Sequence, residues 1–134
     1  MNLLTRDTDY AVRALIYINL AGRRLVSVTE INQRLALPRP FLRKILQQLV
    51  NGGVLISVKG NQGGFKLARS ASKICLVDLM AIFQGSDNMV ECIFIKQVCE
   101  NKQTCPLRKE LKDIERDALN KMRKITIAKL SQNH

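Results

Sequence analysis

Residues 27–69, SVTEINQRLALPRPFLRKILQQLVNGGVLISVKGNQGGFKLAR, carry the reading that decides the fold. Ser27 followed by Glu30 has the spacing of a capping box, in which the hydroxyl and the carboxylate each satisfy a free amide at a helix start. A short helix over Val28–Leu35 is expected after it. In Leu37-Pro38-Arg39-Pro40-Phe41 the prolines oppose continuation of that helix, and Pro40 has the fixed φ suited to a first helical turn. A second helix is expected to run to about Val50, with Phe41, Leu42, Ile45, Leu46 and Leu49 as its apolar stripe and Asn51-Gly52-Gly53 as its stop. Arg39, Arg43, Lys44, Gln47 and Gln48 fall outside that stripe.

Two short helices across a tight turn form a helix-turn-helix. Val54-Leu55-Ile56-Ser57-Val58 and Phe65-Lys66-Leu67-Ala68 are β-rich runs around the tip Lys59-Gly60-Asn61-Gln62-Gly63-Gly64, which reads as a hairpin. A helix-turn-helix followed directly by a basic hairpin is the arrangement of a winged helix. The expected class is therefore mainly α with a small β-hairpin.

Charge gives this unit a partner. The chain has 22 Lys and Arg against 11 Asp and Glu, a net charge of +11, and residues 1–70 hold eleven of the basic side chains but only three of the acidic ones. That asymmetry points to a polyanion facing the basic half, against the blander reading of a surface charged for solubility. Double-stranded DNA fits the winged helix. Arg39, Pro40, Phe41, Arg43, Lys44 and Gln47 are expected on the major-groove side, where Arg and Lys suit guanine acceptors and Gln suits adenine. Lys59, Gly60, Asn61 and Gln62 at the wing tip are expected against the backbone or minor groove. No glycine-rich phosphate loop of the nucleotide-binding type and no base–nucleophile pair suggests an enzyme.

Before this unit, Leu4, Ala11, Ala14, Leu15, Ile18 and Ala21 recur at helical spacing and Gly22 punctuates the end. The apolar run there is too short, and too interrupted by Asp7, Asp9 and Arg13, for a signal peptide or a membrane span, so a cytoplasmic protein is expected. After it, Ile74 to Phe83 reads as a short helix with Cys75 packed as a small buried hydrophobe, and Gln84 to Asn88 reads as a loop.

Cys92, Cys99 and Cys105 follow with the spacing C-x6-C-x5-C. Paired C-x2-C, the mark of structural zinc, is absent, and the longer gaps let a loop wrap three thiolates around a larger object such as an iron-sulfur cluster. Spacing alone leaves redox-active or packed cysteines equally open. From Pro106 the apolar residues Leu107, Leu111, Ile114, Ala118, Met122 and Ile125 form a stripe along one long amphipathic helix, longer than a small domain needs for its own core. A homodimer seam is expected there. The organisation is then a winged helix over 1–70, a short helix and cysteine loop over 71–105, and a dimerisation helix with its tail over 106–134.

Leu4-Thr5, Asp9-Tyr10-Ala11-Val12-Arg13, Leu-Pro-Arg-Pro-Phe-Leu at 37–42, Gly63-Gly64-Phe65-Lys66-Leu67-Ala68-Arg69 and the three cysteines together resemble the winged-helix iron-sulfur transcriptional regulators of the Rrf family, which includes IscR and NsrR. The likeness covers nearly the whole chain. It implies a homodimer on near-palindromic promoter DNA, acting most simply as a repressor, with a four-iron or two-iron cluster on Cys92, Cys99 and Cys105 whose state sets DNA affinity. Family members of the cluster-assembly type carry a histidine three residues after the last cysteine, where this chain has Arg108, and its one histidine is His134. The nitric-oxide-sensing branch instead takes an aspartate from the first helix of the partner subunit, and Asp9 occupies that place. Cluster supply, redox state and nitric oxide are each possible signals under this resemblance. The alternatives are a cluster-free or zinc-binding thiol regulator and a basic iron-sulfur redox protein.

Overall fold

A computed structural model describes residues 4–85 and 104–132. The first helix, α1, spans Arg6–Leu20. Its N-cap is Thr5, whose hydroxyl accepts the Thr8 amide, so Leu4 stands outside the helix and is exposed rather than part of its stripe. Ala11, Ala14, Leu15 and Ile18 are fully buried, which makes α1 the spine against which the other elements pack.

The next helix, α2, is Val28–Leu35 and α3 is Arg39–Asn51, with Ile31 of the former and Leu42, Ile45, Leu46 and Leu49 of the latter buried. The turn between them is closed by Ala36, which takes a left-handed conformation (φ 54) and donates its amide to the Asn32 carbonyl at 2.8 Å. The Asn32 side chain also donates to the Leu37 carbonyl. Pro38 caps α3 and accepts the Leu42 amide at 3.0 Å, so the proline pair sets the start of the helix as its fixed φ requires.

Strands β1 (Leu55–Val58) and β2 (Gly64–Leu67) pair antiparallel, with Leu55 opposite Leu67 and Ile56 opposite Lys66. Val26 adds a backbone rung, exchanging hydrogen bonds of 2.9 and 2.8 Å with Phe65, and this ties the wing to the chain just before α2. The two glycines at the end of the tip are both required by close approach. A Cβ on Gly63 would stand 2.1 Å from the Val58 carbonyl oxygen, and one on Gly64 would stand 2.6 Å from that of Val26.

A single 3-10 turn at Ala71–Lys73 leads to α4, Leu76–Gln84. Cys75 is the residue just before α4. It is half-buried rather than sealed in the core, because the N-cap position that it occupies sits at the end of the helix, where its amide donates to Asp78 Oδ2 at 3.2 Å.

The C-terminal region departs from one continuous helix. Helix α5 runs Pro106–Arg123 and a separate α6 runs Ile127–Ser131. Between them the backbone leaves the helix to pair with the residues before α4. Leu76 N–H donates to the Ile125 carbonyl at 2.8 Å, Ile127 N–H donates to that of Ile74 at 2.9 Å, and Cys75 and Thr126 form an isolated antiparallel bridge. Thr126 then caps α6 by accepting the Lys129 amide. Ile127 is buried against α1, and Asn19 Nδ2 donates to Ser131 Oγ at 2.9 Å. Thus Ile125 belongs to this joint, and the free stripe of α5 ends at Met122.

Candidate nucleic-acid interface and cysteine-bearing end

Burying Leu42, Ile45, Leu46 and Leu49 turns the opposite side of α3 outward, and Arg39, Pro40, Arg43, Lys44 and Gln47 are all exposed there. Arg39 Nη2 donates to Thr29 Oγ1 at 2.8 Å, which braces the α3 entrance against α2. Gln47 Nε2 donates to Asn51 Oδ1 at 3.1 Å. Arg43 and Lys44 have no side-chain partner among the described residues, so their charges face outward uncompensated. Lys59, Gly60, Asn61 and Gln62 are likewise exposed at the wing tip.

Phe41 is placed differently from its neighbours. It is half-buried and meets Tyr10 of α1 edge to face, so its ring also packs α3 against α1. Gln48, on the flank of the stripe, is half-buried with its Oε1 enclosed.

Beneath α2, Glu30 anchors a cluster that the capping-box spacing misassigned. Ser27 Oγ accepts the Glu30 amide at 3.1 Å as expected, but the carboxylate turns away from the Ser27 amide. It accepts hydrogen bonds from Arg24 Nη1 and Nη2 at 2.8 and 2.5 Å, and from the Tyr17 hydroxyl at 2.6 Å. A bidentate charged pair outcompetes a single backbone amide for a carboxylate. The Arg24 guanidinium first and the Tyr17 hydroxyl second hold the Glu30 carboxyl down at about 2, and the same carboxylate raises the pKa of Tyr17. The signal for this cluster was Arg24, six residues ahead of Glu30, a spacing that no helical pattern marks.

At the other end of α1, Asp7 and Asp9 lie in the first turn, where acidic groups favour the helix dipole. Asp9 Oδ2 accepts a hydrogen bond from Arg13 Nε at 3.0 Å, one turn along the helix, and the Asp9 side chain remains 46% exposed. Asp7 lines a cleft of about 660 Å³ together with Tyr10, Leu37, Phe41 and Phe83. Thr8 between the two aspartates is fully buried, and its hydroxyl donates to Gln84 Oε1 at 2.8 Å.

Cys105 is a free, half-buried thiol at the N-cap of α5. Cys92 and Cys99 lie outside the described residues, and among those described no group of three or more metal-ligating side chains comes together. The donor chemistry present fits an iron-sulfur cluster in kind: a free thiol at a helix start, and a carboxylate held only by an exposed pair worth about 0.3–0.5 kcal/mol.

A helix-turn-helix with an exposed basic second helix and a glycine-tipped wing defines a winged-helix DNA-binding regulator. The chain matches the Rrf2 family, described as iron-dependent transcriptional regulators, over residues 4–133, and it belongs to that family. It is 37% identical over 118 residues to the protein aau3 of Rhizobium meliloti, an alignment covering 87% of this chain and 74% of that one. The solved structure of CymR, the global cysteine regulator of B. subtilis, superposes with a TM-score of 0.83 at 22% identity, covering 100% of this chain and 99% of that one. T. potens IscR superposes with a TM-score of 0.69 at 25% identity, covering 98% and 88%. Among the described residues no helix is long and apolar enough to cross a membrane.

Proposed function

We propose that the chain works as a homodimer on near-palindromic promoter DNA, most simply as a repressor, and that an iron-sulfur cluster on Cys92, Cys99 and Cys105 sets its DNA affinity, with Asp9 of the partner subunit as fourth ligand. The observation that carries the DNA half is the outward, unpaired charge of Arg43 and Lys44 on α3, beside the exposed wing residues Lys59 to Gln62. Arg43 would read guanine and Gln47 adenine in the major groove, while Lys59 would neutralise a phosphate.

Homodimerisation is supported by α5, none of whose residues is buried although Leu107 and Ile114 are 55% and 61% exposed. An apolar stripe left open on one copy is covered by the same stripe on a second. The cluster reading draws on the iron-dependence in the family's description and on the free thiol of Cys105 at the head of α5. When bound, the cluster would supply a group whose ligation changes with oxidation, nitric oxide or the supply of iron and sulfide. The chain's part is to offer thiolates at the head of the dimer helix and a carboxylate beside the DNA-binding unit, so that ligation by both would fix how the two parts sit.

Anaerobic isolation with iron and sulfide analysis, an absorption spectrum, and binding of a duplex selected from a random pool test this reading. Iron and acid-labile sulfide in the sample, with DNA affinity that differs between loaded and stripped dimer, are expected. Zinc in place of iron, or identical affinity of both forms, would remove the cluster from the mechanism and leave a thiol or zinc regulator.

A further inference from the structure

We infer that Gln84 is a positioning residue: it links the end of α4, from which the chain departs toward Cys92, to the start of α1 and through α1 to the recognition helix α3. The signalling use of this link rests on the function proposed above. The link itself rests on hydrogen bonds and packing within one protomer.

Gln84 is the last residue of α4. Its Oε1 accepts two hydrogen bonds from the head of α1, from Thr5 N–H at 3.1 Å and from the Thr8 hydroxyl at 2.8 Å. Because the single Thr8 hydroxyl proton is spent on Gln84, the 3.0 Å contact between the two threonine hydroxyls is donated by Thr5, whose oxygen in turn accepts the Thr8 amide at 3.3 Å. The cap of α1 is therefore oriented by a side chain 79 residues away in sequence. Thr8 is wholly buried, so without this acceptor its hydroxyl proton can turn only to Thr5 Oγ1, which reverses the bond between the two threonines and rearranges the cap.

Two residues beyond Thr8, Tyr10 meets Phe41 in the first turn of α3 with ring centroids 5.7 Å apart. Phe83, the neighbour of Gln84, lines the same cleft as Tyr10 and Phe41. The end of α4 thus grips α1 by hydrogen bonds, and α1 in turn meets the entrance of α3 through the Tyr10–Phe41 ring contact. Displacement of α4's end would break or carry along the hydrogen bonds to Thr5 and Thr8 and, through α1, bear on the α3 entrance.

The link is testable in metal-free protein by amide hydrogen exchange. Gln84→Met keeps the length and removes the acceptor, whereas Gln84→Glu keeps an acceptor oxygen. Gln84→Met is expected to speed exchange by about threefold or more at Asp9, bonded to the Thr5 carbonyl, and also at Leu42, bonded to the Pro38 carbonyl, with Gln84→Glu restoring both and Ile127 unchanged. Faster exchange at Asp9 with Leu42 unaltered would confine Gln84 to a local cap and overturn the inference. The second measurement is the ratio of DNA dissociation constants for iron- and sulfide-reconstituted and metal-free dimer on one selected duplex. If that ratio is about fivefold or more in the unaltered protein, it should fall below about twofold in Gln84→Met and recover in Gln84→Glu. A Gln84→Met protein with the full ratio overturns the inference. A ratio of one in the unaltered protein defeats the cluster mechanism instead, and the exchange at Leu42 then decides the link alone.

Discussion

Tyr10 of α1 and Phe41 of α3 meet edge to face, their ring planes at 86°. This contact joins the helix that carries Asp9 to the first turn of the helix that carries Arg43. The double-mutant cycle of Tyr10→Leu and Phe41→Leu is expected to show a coupling of about 0.5–1.5 kcal/mol in urea unfolding. Each single change should also weaken binding of a selected duplex, because the entrance of α3 loses its brace while its basic residues stay in place.

Glu30 predicts an acid-dependent difference. Its carboxyl lies near 2 in the folded protein, below its ordinary value of 4.5, so its contribution is fully present above 4.5 and is lost as pH falls toward 2. Glu30→Gln should therefore be less stable than the unaltered chain at neutral pH, and the two should converge between those pH values. Thermal unfolding followed across that window checks it. A difference that stayed constant down to pH 2 would show that the pair with Arg24 contributes through packing rather than charge.

On DNA, Arg43 and Lys59 should part company. Arg43→Ala is expected to relax preference at one base pair by about 1–3 kcal/mol, read by competition among single-base variants of a selected duplex. Lys59→Ala should weaken all sequences alike and reduce the salt slope of log Kd by about one.

Ile114 stands 61% exposed on α5. Ile114→Glu should shift sedimentation equilibrium from dimer to monomer and change protomer stability by no more than about 0.5 kcal/mol, with the helical circular dichroism kept. A dimer that survived the charge would place the seam elsewhere.

Asp9→Ala should alter the absorption of the anaerobically loaded protein. The metal-free protein should lose at most about 1 kcal/mol, the sum of an exposed pair with Arg13 and a helix-dipole term. An unaltered spectrum with full iron content would reject Asp9 as a ligand.

What could be read from the chain alone follows the range of the forces. Helix α2 lies at the expected residues and the wing strands within one residue of theirs, because Ser27, Pro38, Pro40 and the glycine pair act on their immediate neighbours. The joint at Lys124 to Thr126 was hidden, since Ile125 continues the helical spacing of α5 and the competing backbone pairs come from residues 74 to 76, about fifty positions earlier. A separation of 79 residues likewise hid Gln84 beneath Thr5. The outward basic residues of α3 were legible from its stripe, and so was the apolar side of Phe41, whereas its contact with Tyr10 was not, because only the fold brings the two rings together. The cysteine ligands remain a matter of spacing and family likeness, as Cys92 and Cys99 lie outside the described residues.

The joint between α5 and α6 makes the long helix a lever. Its far end is tied to the body of the protomer at Ile125, Thr126 and Ile127, and its other end starts just after Cys105. Eighteen residues at about 1.5 Å each give an arm of about 27 Å, so a swing of about 5° at the clamp carries the cysteine end by about 2 Å. Small angular differences at two backbone hydrogen bonds are thereby magnified into displacements the size of a chemical bond.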